Sequence, residues 1–101
     1  MDAEEYVEAV LALVERIPPG RVMSYGAVAD ALADVSGRAS ARRIGTIMAR
    51  YGGGVPWHRV VAADGRLPPG NQVRARQRHA EEGTPMRGDK VDVHAAAWYP
   101  S

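Results

Sequence analysis

The chain has 101 residues, 46% apolar and 25% charged, which suits one packed domain and leaves no room for a second. It contains no cysteine, excluding disulfides, thiolate metal sites and a thiol nucleophile within this sequence, and no run approaches the roughly 18 apolar residues of a membrane span. The net charge of +1 conceals segregation: residues 1–34 hold seven acids against two arginines (−5), residues 35–80 nine arginines against Asp64 (+8), and residues 81–101 four acids against Arg87 and Lys90 (−2).

A basic centre between acidic ends predicts an anionic partner at one face, nucleic acid foremost. Charge alone supports equally well a set of arginines that solvate helix surfaces. The acidic opening Met1-Asp2-Ala3-Glu4-Glu5 is unlike a secretion signal and, with the missing cysteines, predicts a cytoplasmic protein, nucleoid-associated if bacterial.

Asp2 and Glu5 have the spacing of a capping box, and Val7, Val10, Leu11, Val14 and Ile17 follow at helical period. Pro18-Pro19-Gly20 ends that helix. Ser24 can cap a second helix to about Ala33, with Val28 and Leu32 inward, and Ser36-Gly37 makes a turn. A third helix from about Ala39 to Arg50 buries Ile44, Ile47 and Met48. Two short helices around a glycine turn, the second rich in arginine, read as a helix-turn-helix, against the commoner alternative of an ordinary helical hairpin.

Asp64-Gly65 is a hairpin signal that predicts a small wing from strand Val60–Ala62 and Arg66-Leu67. Asn71 can cap a last helix that ends at Glu82, with Gly83 beyond it. Lys90 to Val93 alternates like a strand, and Trp98 and Tyr99 are expected to close the core. The fold class is therefore mostly α with short β elements, a single winged helix-turn-helix domain over residues 1–101.

Arg42, Gly45, Thr46 and Ala49 recur at i, i+3, i+4 and i+7, so they share one stripe of the third helix. Apart from Arg42 that stripe is small. A major-groove reader needs Asn, Gln or Arg at several positions, whereas small residues let a helix backbone approach a shallow groove. Gly45 packing against another part of the protein is the competing explanation. Arg38, Arg43 and Arg50 flank the stripe, where phosphates would run. An arginine projecting alone from a closely docked helix suits insertion into a base stack in place of a flipped nucleotide.

Three segments then carry a resemblance. Ile17 to Gly26 (Ile-Pro-Pro-Gly-Arg-Val-Met-Ser-Tyr-Gly), Ala41-Arg42-Arg43-Ile44-Gly45, and Pro56-Trp57-His58-Arg59-Val60-Val61 resemble the DNA-binding domain of O6-alkylguanine-DNA alkyltransferases. Trp57 stands where those enzymes carry the reactive cysteine, which resembles the alkyltransferase-like proteins that bind alkylated guanine without repairing it. The resemblance implies docking in the minor groove, with Tyr25 helping to rotate the damaged nucleotide and Arg42 as the arginine finger. It implies DNA contacts from Ser24, Tyr25, Gly26, Arg38, Ser40, Ala41, Arg42, Arg43, Gly45, Thr46, Ala49 and Arg50. It implies a lesion pocket walled by Tyr25, Met48, Trp57, Val60, Leu67 and Gly70, with the Leu67–Asn71 loop as its rim and Tyr51 near its edge.

His58 and Glu82 match the relay that would deprotonate the cysteine, but tryptophan is no nucleophile at neutral pH. Glu82 closes its helix where the macrodipole disfavours an acid, which predicts pairing with His58 or an arginine. What Trp57 offers is a flat apolar wall, since base stacking on an aromatic contributes roughly 1–3 kcal/mol. His58, His79 and His94 share no ligand spacing, so neither metal nor cofactor is expected. The function expected is a non-enzymatic sensor that flags O6-alkylguanine for nucleotide excision repair and shields it from alkyltransferases. Its partners would be lesion-bearing duplex DNA and excision-repair proteins; it would act as a monomer, away from membranes. A sequence-specific winged-helix regulator is the alternative, and a hydrolase using His58 and Glu82 a more distant one.

Overall fold

The computed structural model describes residues 2–33 and 38–100, without the side chains of Arg38 and Ala39. The expected Ser36-Gly37 turn and the Arg38 contact therefore lie outside the described residues. The order is α1 (Ala3–Arg16), β1 (Met23–Ser24), α2 (Tyr25–Ala31), α3 (Arg38–Tyr51), β2 (Val60–Val61), α4 (Gln72–Glu82), β3 (Met86–Arg87), β4 (Lys90–Val91) and the one-turn α5 (Val93–Ala96). No helix among the described residues is long and apolar enough to cross a membrane.

Local chemistry sets the helix starts. The Asp2 carboxylate accepts the Glu5 N–H at 2.8 Å, and the Ser24 hydroxyl accepts the Ala27 N–H at 3.0 Å. Helix α2 stops at Ala31, short of the expected Ala33, because Ala33 turns into the left-handed region at φ 58°. Asn71 occupies the cap position of α4 but its side chain makes no capping bond, while Gly83 closes that helix at φ 72° as its sequence position predicts.

Two cores result. Val10, Val14, Ile17, Val28, Ile44, Ile47 and Met48 knit α1, α2 and α3 together, joined by Tyr6 and Leu13, which the α1 periodicity alone did not single out. Val22, Val61, Leu67, Ala75, Val91 and Ala96 form a second core beneath α4 and the β3–β4 hairpin. Helices α2 and α3 pack most extensively on each other, in the helix-turn-helix arrangement read from the sequence.

The wing differs from expectation. Val60 and Val61 are both fully buried and pair in parallel with Met23 and Ser24, a position suited to a short apolar run covered on both sides. The Asp64-Gly65 turn is closed by two backbone bonds, Gly65 N–H to the Ala62 carbonyl at 2.8 Å and Ala62 N–H to the Arg66 carbonyl at 3.0 Å, and has no second strand. Asp64 turns its carboxylate to the Arg66 N–H at 3.1 Å, and Val91 takes the Gly65 carbonyl at 2.9 Å. The antiparallel hairpin forms instead around Gly88-Asp89, with Met86 opposite Val91 and Arg87 opposite Lys90. The strand expected over residues 90–93 is thus halved, since Asp92 caps α5 through the Ala95 N–H at 3.3 Å. Trp98 packs on the first core as expected, but Tyr99 is 79% exposed and closes nothing. Two backbone bonds, Val22 N–H to Ala96 and Trp98 N–H to Val22, hold the C-terminal segment beside β1.

Candidate nucleic-acid interface

A cavity of about 980 Å³ opens between α3, the Trp57 segment and the loop before α4. Tyr25, Ala41, Arg42, Gly45, Thr46, Met48, Ala49, Trp57 and Leu67 all line it. The small-residue stripe of α3 and the aromatic wall therefore share one hollow. A Cβ built on Gly45 meets nothing within 4 Å, so the missing side chain serves no packing inside the protein. That disposes of the internal explanation. Thr46 returns its hydroxyl to the Arg42 carbonyl at 3.1 Å, which flattens the stripe further. Arg42 itself is exposed.

Tyr25 opens α2 directly after its cap, half-buried at the cavity edge, and burial raises its phenol above the ordinary range, so it stays neutral. Trp57 sits in a single 3-10 turn between the two cores and packs against both. Its ring meets His58 edge-on, with centroids 5.9 Å apart and planes at 82°. A Cβ at Gly52 would lie 2.9 Å from the Met48 methyl, so a side chain there would displace the end of Met48, which lines the cavity.

Behind Trp57 the charges are tied to one another. His58 Nε2 lies 2.8 Å from Glu82 Oε2; since a carboxylate only accepts, Nε2 carries the hydrogen. Arg59 grips the same carboxylate with two bonds, 3.2 and 2.7 Å, and donates a third to the Ile17 carbonyl at 2.8 Å. The Gly20 N–H adds another at 3.1 Å. Burial alone would raise the Glu82 carboxyl, but the bonds from Arg59, His58 and Gly20 outweigh it and hold its pKa at about 2. Burial pushes His58 and His79 down, against the opposing pull of Glu82, so both imidazoles are neutral at neutral pH. His79 donates to the His58 carbonyl at 2.7 Å and accepts from Thr84 at 2.8 Å. His58 Nδ1 is the one buried side-chain nitrogen or oxygen among the described residues without a partner.

The sequence of the 6-O-methylguanine DNA methyltransferase DNA-binding domain family matches residues 5–84. The chain belongs to this family. The DNA base-flipping protein of Escherichia coli (strain K12) is 34% identical over 100 residues, covering 94% of this chain and 75% of its own length, and that of Shigella flexneri matches equally. In three dimensions the chain resembles S. pombe ATL solved in complex with DNA, at a TM-score of 0.81 and 29% identity over 99% of this chain and all of that one. It also resembles S. pombe Atl1 solved with damaged DNA containing O6-carboxymethylguanine, at 0.79 and 28% with the same coverage.

Against this family frame, some expected positions need correction. Val60 is fully buried in the first core and Gly70 stands outside the cavity lining, although Leu67, Pro68, Pro69 and Asn71 do form the rim. Ser40, expected to contact DNA, is 3% exposed. Ser24 spends its hydroxyl on capping α2. Arg43 lies over the Tyr6 ring at 3.9 Å and Arg50 over Tyr51 at 6.0 Å, beside the stripe and outside the cavity lining, and Tyr51 is absent from that lining too. The sequence marks Arg74 and Arg78 only as charge, and it leaves open which arginine pairs with Glu82. Arg59 is the second anchor of Glu82, and Arg74 lines the cavity while its guanidinium lies 5.9 Å from the Trp57 centroid. The i, i+4 spacing of Arg74 and Arg78 was the available signal.

Proposed function

We propose that this protein is a non-enzymatic sensor of O6-alkylguanine in duplex DNA. Helix α3 would enter the minor groove on its small stripe, Arg42 would fill the vacated base position, and the flipped guanine would stack against Trp57. The held lesion would be passed to nucleotide excision repair and meanwhile kept from alkyltransferases. The protein would act as a monomer in the compartment that holds the DNA.

One observation carries the reading: the bare stripe of α3 and the half-buried face of Trp57 border the same hollow. Its volume lies at the upper end of the roughly 300–1,000 Å³ typical of small-molecule sites. The base-flipping relatives and the solved complexes with damaged DNA support it from outside. The absence of chemistry rests on residues present: the retained His58–Glu82 pair faces no thiol, because the sequence has none. A neutral His58 whose Nε2 is committed to Glu82 has only Nδ1 left to take a proton, and no cysteine to take it from.

Fluorescence anisotropy on matched duplexes with and without one O6-methylguanine tests the proposal. Tighter binding of the damaged duplex across several sequence contexts, with every adduct recovered intact afterwards, is the expected result. Equal binding of both duplexes, a strong preference for one palindrome, or loss of the alkyl group from DNA each refutes it.

A further inference from the structure

The cavity carries more positive charge than the Arg42 plug that base flipping requires. Three arginines line it: Arg42, Arg66 and Arg74. Arg66 is paired with Asp64 at 3.1 Å, and Arg42 projects from the groove-facing stripe. Arg74 has no ion-pair partner among the described residues. It lies beside the ring against which the guanine would stack, 5.9 Å from the centroid. Arg78, one turn on, lies 5.3 Å from the same centroid but is absent from the cavity lining; it borders a second recess of about 690 Å³ with Glu81 and Glu82, and Arg74 stands between the two, bordering both.

Two cations one helical turn apart on a single aromatic ring repel each other. The indole face offsets part of that repulsion. An oxyanion reaching Arg74 from the cavity would offset more, and a guanidinium offers it two parallel donors. Helix α4 favours the same sign, because its first turn carries no acid and the Asn71 side chain leaves its N-terminus uncapped.

We infer that Arg74 reads charge on the adduct, so that the cavity prefers an O6 substituent bearing a carboxylate over a neutral one of the same shape. This rests on the lesion-binding role proposed above. A DNA phosphate is the other oxyanion that Arg74 could take, and the ratio between two adducts separates the two sources: phosphate contacts are common to every duplex, whereas the adduct's charge is not.

The test measures dissociation constants for duplexes with O6-carboxymethylguanine, its neutral isostere O6-carbamoylmethylguanine, or unmodified guanine. Wild-type protein is compared with Arg74→Gln, Arg74→Lys and Arg78→Gln, each checked by its melting temperature. Wild type is expected to prefer the carboxylate over the amide by about fivefold to tenfold, the margin between charge-assisted and neutral hydrogen bonds. Arg74→Gln brings that ratio to about one, and Arg74→Lys keeps part of it. Arg78→Gln removes the same charge from outside the cavity and lowers the ratio by less than twofold. A wild-type ratio of one overturns the inference. So does an Arg74→Gln protein that weakens on all three duplexes together while keeping the ratio, which is the signature of a phosphate contact. If neither modified duplex outcompetes the unmodified one, the lesion-binding reading itself falls and this inference falls with it.

Discussion

Trp57 divides two regions of opposite character. On one side His58, Arg59, Glu82 and Gly20 hold one another in a closed set of short bonds. On the other, Arg42 and Arg74 border an open hollow whose lining, among the described residues, carries no carboxylate. Internally paired charge stabilises the fold, while unpaired charge is available to a ligand. Together His58, Arg59, Glu82 and Gly20 form a clasp joining the segment after α1, the Trp57 turn and the end of α4. The binding face is left unsatisfied.

Opening the clasp has the largest expected consequence. Glu82→Gln leaves the Arg59 guanidinium, whose side chain is 14% exposed, without its anion. Loss of one partner from such a pair is expected to destabilise the protein by about 3 kcal/mol. Urea unfolding measures it, and a change below about 1 kcal/mol would mean that the clasp is decorative. The same pair sets an acid limb. Glu82 titrates lower in the folded chain than when unfolded, so its stabilisation is present above its ordinary 4.5 and is lost as pH falls towards about 2. The buried histidines add an earlier loss: unfolding lets them protonate near 6.5, so stability begins to fall as pH drops through that value. Glu82→Gln should abolish the lower limb and keep the upper one.

On the open side, the largest effect belongs to the wall. Trp57→Ala is expected to weaken lesion binding by about 1–3 kcal/mol, the stacking contribution of one base. The loss on undamaged duplex should be much smaller, because an unflipped base never reaches the ring. Equal losses on both duplexes would show that Trp57 supports the fold and not the guanine.

Much of this division was legible in the sequence, and the exceptions have physical causes. The caps at Asp2 and Ser24, the stop at Gly83 and the stripe of α3 are local, so spacing alone exposes them. The pairing of Glu82 was readable as an acid at the wrong end of a helix. The wing was misplaced because Asp64-Gly65 and Gly88-Asp89 are both turn signals, and only tertiary burial of Val60 and Val61 decides between them. Val60 stands in a motif-bearing segment and Ser40 directly before one, but a motif does not say which side of its helix or strand faces inward. Arg74 went unremarked because its role depends on a ring seventeen positions earlier in the chain.

A smaller effect separates the finger from the flanks. Arg42→Ala is expected to cost lesion binding about tenfold while leaving undamaged binding within about threefold, since the plug matters only once a base has left the stack. Arg43→Ala and Arg50→Ala should each weaken both duplexes alike and flatten the salt dependence by about one counterion. Binding isotherms over a salt series distinguish these patterns. A salt slope untouched by Arg43→Ala would assign that side chain to Tyr6 instead of the backbone of DNA.

The smallest change is the most informative about docking. Gly45 lies inside α3, where glycine costs roughly 1 kcal/mol relative to alanine, and open space surrounds its missing Cβ. Nothing among the described residues repays that cost. Gly45→Ala should therefore raise stability by about 0.5–1 kcal/mol in urea unfolding. If the α3 backbone comes against the floor of a groove, the added methyl should at the same time weaken binding of damaged and undamaged duplex several-fold. Opposite signs for stability and affinity at one exposed position would locate the reason for the glycine outside the molecule. A stabilised variant with unchanged affinity would remove the stripe from the interface and leave only the cavity.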